Sequence, residues 1–284
     1  VKKGYLIGRG ANDMKSSIAA FVTAVSNFSN KNQKFGGSIS LLITGDEEGI
    51  AINGTKKVVE YLRKRKEKID FCLVGEPTNP NKLGEMIKIG RRGSMTGKLS
   101  VIGIQGHVAY PNRANNPSTA LVRILKELKE IKFDKGTKDF QPTNLEITKI
   151  NIDNSADNVI PGLASASFNI RFNNKHTSYK LKNKINKIIK QICNKNKSKY
   201  KIEYSVSGEA FLTKPNKTTF MIQNTIKKVT KIKPKLSTTG GTSDARFIRK
   251  IAPCLEFGLV GKTMHKVGDC VSLSDLKRLT LIYN

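Results

Sequence analysis

Two adjacent glutamates, Glu47 and Glu48, are the residues of this sequence best placed to do chemistry. They follow Asp46 and a short, β-branched apolar run at residues 39–43, which predicts a buried β-strand that ends at the acids. Acids crowded together repel one another unless a cation lies among them. Ligands of open α/β sheets bind at the carboxyl ends of strands, so we expect that cation to be a metal ion. A solvated acidic turn is the alternative that this segment alone leaves open.

Asp13, Glu76 and His265 also follow predicted elements of the same sheet, so they can converge with the glutamate pair on one edge. Carboxylate oxygens and an imidazole suit zinc, cobalt or manganese. An aspartate that bridges two ions about 3.5–4 Å apart, with a further carboxylate on each, fits a two-metal site. One glutamate of the pair would then bind metal, and the other would take a proton from water. Scattered surface acids are the alternative interpretation.

The elements that must position these residues alternate between helix and strand, which predicts an α/β fold with a mostly parallel sheet. From about residue 93 the order changes to β-α-β-β-α-β, the split arrangement of a small ferredoxin-like α+β domain. We therefore predict that residues 1–92 and 206–284 form the metal-binding catalytic domain and that residues 93–205 form an inserted domain. The predicted helices are 14–28, 53–67, 118–131, 177–196 and 218–230, and the predicted strands are 39–47, 69–77, 96–105, 144–152, 163–172, 199–207 and 252–259.

The composition narrows the class of protein. The formal net charge of +29 invites a nucleic-acid interpretation, but the basic segments lack the interleaved aromatics of a single-strand binding surface, and the candidate site is acidic. We therefore expect no nucleic-acid partner. No apolar stretch is long enough to span a bilayer, so we expect no membrane partner either. The four cysteines are widely spaced, which favours reduced thiols in a cytoplasm.

Several motifs together resemble the M20 metallopeptidase and deacylase family over essentially the whole chain. The metal motifs are residues 8–15 (GRGANDMK), 44–48 (TGDEE), 74–78 (VGEPT) and 263–265 (TMH). Residues 237–247 (STTGGTSDARF), 89–94 (IGRRGS) and 256–260 (EFGLV) point to a deacylase within the family. The resemblance implies a di-zinc catalytic domain with a lid that also forms the dimer interface.

The resemblance also implies a role for each metal-site residue. Asp13 would bridge two divalent ions, zinc with cobalt or manganese as alternatives. Glu76 would complete the coordination of one ion, and Glu48 with His265 would complete the coordination of the other. Glu47 would be the general base, which activates water and later protonates the leaving amine.

Further positions match substrate contacts of the family. His107, in residues 106–111 (GHVAYP), matches a lid histidine that stabilises the oxyanion in the active site of the partner subunit, so a homodimer is expected. The substrate-binding positions would be Arg91, Asn158, Arg171, Gly241 and Thr242, whose donors suit a small-molecule substrate with several carboxylates. His176 matches no motif, and we interpret it as a surface residue.

One departure from the family stands out. The family's first metal ligand is a histidine upstream of the bridging aspartate, and this sequence has no histidine before His107. We therefore expect the sequence to be an N-terminally truncated fragment that binds at most one ion tightly and is inactive, whereas the full-length protein is active. The alternatives are a sister deacylase such as acetylornithine deacetylase, an aminoacylase or carboxypeptidase, and a catalytically dead binding or dimerisation module.

Overall fold

The computed structural model describes all residues from 1 to 284, and the chain divides into two compact units. The first unit comprises Val1–Arg91 and Leu212–Asn284, and the second comprises Arg92–Phe211. No helix in the structure is both long enough and apolar enough to cross a membrane.

The secondary structure consists of short strands and medium-length helices. The helices are α1 (Ser16–Lys31), α2 (Thr55–Lys64), α3 (Pro117–Glu130), α4 (Ser178–Lys195), α5 (Lys217–Thr230), α6 (Ala245–Ile248) and α7 (Leu273–Tyr283). The strands are β1 (Tyr5–Ile7), β2 (Cys72–Val74), β3 (Met86–Lys88), β4 (Gly90–Arg91), β5 (Gly93–Ile102), β6 (Gly106–His107), β7 (Asn144–Asn151), β8 (Val159–Ile160), β9 (Leu163–Phe172), β10 (Lys199–Gly208), β11 (Phe211–Leu212), β12 (Lys235–Ser237), β13 (Cys254–Glu256) and β14 (Cys270–Ser272). Single helical turns lie at Ala11–Lys15, Pro111–Arg113 and Gly261–Thr263.

The first unit is built on a mixed four-stranded sheet in the order β12-β3-β13-β2. Strands β12 and β3 are parallel, as are β13 and β2, and a single antiparallel pairing joins β13 to β3. The predicted strands at 69–77 and 252–259 are therefore present as β2 and β13, although both are shorter than predicted. The core of this unit comprises Ala11, Ala20, Leu83, Ile87, Ile89, Ile226, Leu255, Phe257, Leu259, Val271, Leu279 and Ile282.

The strand predicted over residues 39–47 is wrong. This segment has no strand structure, and Ile39 and Ile43 are 49% and 60% exposed. A strand forms only where its backbone N–H and C=O groups pair with a neighbour. No strand of the structure pairs with this segment, so its apolar, β-branched composition is not sufficient, and Glu47 and Glu48 lie in a loop.

The second unit is a four-stranded antiparallel sheet in the order β10-β5-β9-β7, with the chain order β5-α3-β7-β9-α4-β10 that the sequence predicts. Both helices begin at a side-chain cap: Asn116 accepts from the Ser118 N–H, and Thr177 accepts from the Lys180 N–H. The buried residues of α4 recur every four positions, which places them on one face of the helix: Leu181, Ile185, Ile189 and Cys193.

Aromatic packing on glycine gives this sheet a fixed register. Gly97 of β5 pairs with Phe168 of β9, and a Cβ atom at Gly97 would lie 2.3 Å from the Phe168 ring. Only glycine leaves room for the ring in this register. The core of the unit comprises Met95, Leu99, Val101, Ala120, Leu121, Ile124, Leu125, Leu128, Leu145, Ala164, Ala166, Phe168, Ile170, Phe172, Leu181, Ile185, Ile189 and Cys193.

Candidate active site

Asp13, Glu48 and His265 come together in the first unit, although 35 or more positions separate them in sequence. One potential ligand atom from each lies within 4.8 Å of the others. The Nε2 atom of His265 is 3.3 Å from Asp13 Oδ2 and 3.7 Å from Glu48 Oε1. Two carboxylates and one imidazole at this spacing can hold a divalent metal ion.

The loops that carry Asp13 and His265 are connected through Asn12, which is fully buried. The backbone N–H of Asn12 donates to Asp269 Oδ2 at 3.2 Å, and its side-chain Nδ2 donates to Thr263 Oγ1 at 3.1 Å. Thr263 in turn donates to Asp269 Oδ1 at 3.0 Å. The sequence interpretation missed these positioning residues. The only local signal for them is a polar residue directly before the motif acid.

The three consecutive acids of the Glu47 loop have different environments. Asp46 Oδ2 accepts from the backbone N–H groups of Asn53 at 2.8 Å and Ile52 at 2.7 Å, which lower the pKa of this carboxyl. Asp46 therefore closes the loop that leads into α2. Glu48 is exposed and belongs to the ligand cluster. Glu47 is half-buried, and burial, followed by the charges of Asp244 and Glu48, raises its pKa to about 7.

Glu76 lies after β2 and is largely buried. Burial, and then the charges of Asp13, Glu47 and Glu256, raise its pKa to about 8. Burial and the charge of Glu48 raise the pKa of Asp13 as well. Glu76 is not one of the three groups whose ligand atoms converge, but its charge is coupled to theirs. A cluster of acids that raise one another's pKa is the electrostatic setting that a divalent cation relieves, so the residues fit a metal.

Three of the predicted substrate-binding positions lie in the same unit. Arg91 is buried and pairs with Glu256, while Gly241 is exposed and Thr242 half-buried in the loop after β12. The Arg91 Nη1 group donates to Thr239 O at 3.2 Å, which brings the arginine into contact with this loop.

The other predicted positions lie in the second unit. The structure brings His107 and Asn158 together, because the Val108 N–H donates to Asn158 O at 3.0 Å where β6 pairs with β8. His107 is exposed, and its Nδ1 accepts from the Ala109 N–H at 3.1 Å. In the neutral ring the proton is then on Nε2, which is free to donate. Arg171 lies apart from this pair on β9 and is partly buried.

His176, which the sequence leaves as a surface residue, is partly buried and has a specific partner. Its side chain is 21% exposed, and Nε2 lies 3.0 Å from Asp134 Oδ2. The contact spans 42 positions, so no local pattern could have indicated it.

Comparison with known proteins gives the family. The model of peptidase family M20/M25/M40 matches residues 1–284. The chain belongs to the M20 peptidase family. Among curated M20 relatives, the succinyl-diaminopimelate desuccinylase of Pelagibacter ubique is 78% identical over 284 residues, which are 100% of this chain and 74% of that protein. The enzyme of the same name from Rickettsia bellii is 49% identical over 282 residues, 99% of this chain and 72% of that protein.

Solved structures show the same fold at low sequence identity. Aminopeptidase PepT from Bacillus cereus has a TM-score of 0.80 at 15% identity, over 99% of this chain and 73% of that one. The M20 family metallo-carboxypeptidase Sso-CP2 from Sulfolobus solfataricus has a TM-score of 0.73 at 17% identity, over 100% of this chain and 77% of that one. The fold assignment from sequence is thus confirmed at the level of an M20 peptidase with mixed α/β architecture.

Proposed function

We propose that this protein is a succinyl-diaminopimelate desuccinylase, a metal-dependent amide hydrolase of lysine and diaminopimelate biosynthesis. It converts N-succinyl-LL-2,6-diaminopimelate and water into LL-2,6-diaminopimelate and succinate. The observation that carries the hydrolase chemistry is the convergence of Asp13, Glu48 and His265 beside the acids Glu47 and Glu76. The substrate is supported by relatives of that name at 78% and 49% identity.

We assign two divalent ions to the site, zinc with cobalt or manganese as alternatives. Asp13 would bridge them, Glu48 and His265 would hold one, and Glu76 would hold the other. When bound, such ions lower the pKa of water and polarise the amide carbonyl. The cluster of mutually repelling carboxylates supports this assignment.

Glu47 has the properties of the proton carrier. Its carboxylate takes a proton from the water whose oxygen attacks the amide carbon. The same carboxyl then gives that proton to the amine nitrogen as the C–N bond breaks. Burial raises the pKa of the Glu47 carboxyl above its ordinary value, which makes it a better proton acceptor than an exposed glutamate.

The remaining assignments concern substrate and assembly. Arg91, Arg171, Asn158, Gly241 and Thr242 would hold the carboxylates of the substrate. His107 would donate from Nε2 to the oxyanion, and we place it in the site of the partner subunit of a homodimer formed through residues 93–205. The cytoplasm is the proposed location, since the four cysteines are all free thiols.

The test is turnover of the full-length enzyme on N-succinyl-LL-2,6-diaminopimelate beside N-acetylornithine. We expect succinate release, at least about tenfold weaker activity on the acetyl substrate, loss of activity with a chelator, and recovery with zinc. A preference for N-acetylornithine would assign the protein to the sister deacylase. No turnover of either substrate by the metal-loaded protein would indicate a catalytically dead relative.

Metal analysis tests the ion count separately. We expect two ions for each chain of the active enzyme, and a single ion or none would refute the two-ion assignment.

A further inference from the structure

Glu256 is a buried carboxylate that the metal assignments and the proton-transfer step do not use. It ends β13, and its side chain is 1% exposed. Arg91 Nε donates to both of its carboxylate oxygens at 3.0 Å, and Arg91 Nη2 donates to Oε2. Ser243 Oγ donates to Oε1 at 2.6 Å. Both oxygens of this buried carboxylate are therefore hydrogen-bonded, which is the condition under which a buried ion pair is tolerated.

We propose that Glu256 is a positioning residue for substrate binding, acting through Arg91 and through the loop of residues 239–243. This inference rests on the proposed function, which places Arg91, Gly241 and Thr242 at the substrate carboxylates. Glu256 itself touches no substrate. It fixes the direction in which the guanidinium and the loop present their donors.

The geometry of Arg91 supports this role. Three of its five N–H groups are used within the protein: Nε and one Nη2 hydrogen on Glu256, and one Nη1 hydrogen on Thr239 O at 3.2 Å. One hydrogen on each terminal nitrogen remains for a ligand. Because the Glu256 carboxylate holds one side of the Arg91 guanidinium, the plane of this group is set before the substrate arrives. Less side-chain entropy is therefore lost on binding.

The loop of residues 239–243 is held by hydrogen bonds to buried charged side chains at both ends. At its start, Thr239 Oγ1 accepts from the buried Lys88 Nζ at 2.7 Å. At its end, Ser243 is bonded to Glu256. Between them Gly240 has a φ of +106°, and a Cβ atom there would lie 2.3 Å from Arg91 Nη1. The backbone of the loop thus lies directly against the guanidinium, so a shift of Arg91 would also displace Gly241 and Thr242.

The decisive variant is Glu256→Asp in the full-length enzyme. It keeps the charge but shortens the side chain by one methylene, so Arg91 and Ser243 cannot both keep their bonds. We expect KM for N-succinyl-LL-2,6-diaminopimelate to rise about tenfold or more, with kcat within about twofold, because uniform binding of ground state and transition state is lost. Metal content and melting temperature are measured on the same sample. A carboxylate with a purely structural role would lower the melting temperature or the active fraction and leave KM unchanged.

Asp275→Asn is the matched control. Asp275 pairs with Arg278 at 2.6 Å within α7, so the variant removes a carboxylate–arginine pair elsewhere in the same unit. We expect its KM and kcat to equal those of the wild type.

Ser243→Ala decides the matter if Glu256→Asp does not fold. It retains the ion pair and frees one end of the loop, and we expect a KM increase of roughly twofold to fivefold at unchanged kcat. A folded Glu256→Asp enzyme with wild-type KM would overturn the inference, as would wild-type KM in Ser243→Ala where the first variant is unfolded. If the wild-type enzyme itself does not hydrolyse the substrate, it is the proposed function that fails.

Discussion

Asp134 in the second unit and Glu47 in the first are acids in loops, but their surroundings are opposite. Asp134 accepts hydrogen bonds from the Gly136 N–H at 2.6 Å, the Thr143 N–H at 3.2 Å and Asn173 Nδ2 at 2.6 Å. Burial alone would raise its pKa, but these donors and the Thr143 hydroxyl lower the pKa to about 2. Glu47 lies among other acids, and its pKa is raised to about 7.

The difference shows how one residue type can serve stability or chemistry. A carboxylate surrounded by donors is ionised at every physiological pH and holds its loop in place. A buried carboxylate that lies near other negative charges can exchange a proton near neutral pH, but it lowers the stability of the fold. The same chemical change, acid to amide, should therefore have opposite consequences at the two positions.

Glu47→Gln should produce the largest effect. We expect kcat of the full-length enzyme to fall by about 10²–10⁴-fold, because an amide cannot carry the proton. Metal content should stay at the wild-type value. The melting temperature should not fall, because burial and the neighbouring acids, which disfavour the carboxylate, outweigh the attraction of Arg246. Turnover assays, metal analysis and thermal unfolding measure the three quantities. Loss of the metal instead would mean that the roles of Glu47 and Glu48 are reversed.

Glu60→Gln is the control for this change. Glu60 is exposed on α2, outside the cluster, so the variant should have wild-type turnover.

Asp134→Asn should have the opposite effects to Glu47→Gln: a loss of stability without a loss of turnover. We expect the free energy of unfolding to fall by about 1–3 kcal/mol, because one acceptor oxygen is replaced by a donor that faces other donors. The kcat and KM should be unchanged. Urea unfolding at pH 7 measures the loss, with the exposed Asp153→Asn as the control in the same unit. An unfolding midpoint equal to that of the wild type would show that the network around Asp134 does not hold the loop.

The smallest expected effect is the pH dependence of the difference in unfolding free energy between the wild type and Asp134→Asn. The pKa of Asp134 is lowered from 3.8 to about 2 in the folded protein, so the ionised carboxylate stabilises the fold above pH 3.8. This contribution is lost as the pH falls from about 4 towards 2. The stability gap between wild type and Asp134→Asn should therefore narrow between pH 4 and pH 2 in urea titrations. A gap that stays constant over this range would mean that hydrogen bonding in the neutral form, not charge, accounts for the stabilisation.

The second unit was the more predictable part of the fold. Its two helices and the four strands of its sheet have long, regular apolar patterns, and each of these was confirmed within a few residues, as for α4 and β9. In the first unit the strands are at most three residues long, and residues 39–43 look like a strand but pair with no other strand. Periodicity reports which face of an element is apolar, whereas the existence of a short strand depends on a neighbour that local sequence does not specify.

The site divides in the same way. The metal-motif acids could be named from sequence because each stands in a short, recognisable run, and their assigned roles remain predictions. The long-range contacts within the site could not be named, since Asn12 reaches Thr263 and Arg91 reaches Glu256 across more than 160 positions.

By itself the sequence determined the family and the kind of chemistry, and it named the residues proposed to perform it, because ligand type and motif order are local properties. Only the tertiary structure decided that Asp46 closes a loop, that Glu48 lies in the ligand cluster, and that Glu47 lies beside it among other acids. It also decided that Glu256 pairs with Arg91 and that His176 pairs with Asp134. These distinctions depend on burial and on which donors and charges surround each carboxylate, and the folded chain sets both through contacts between distant segments.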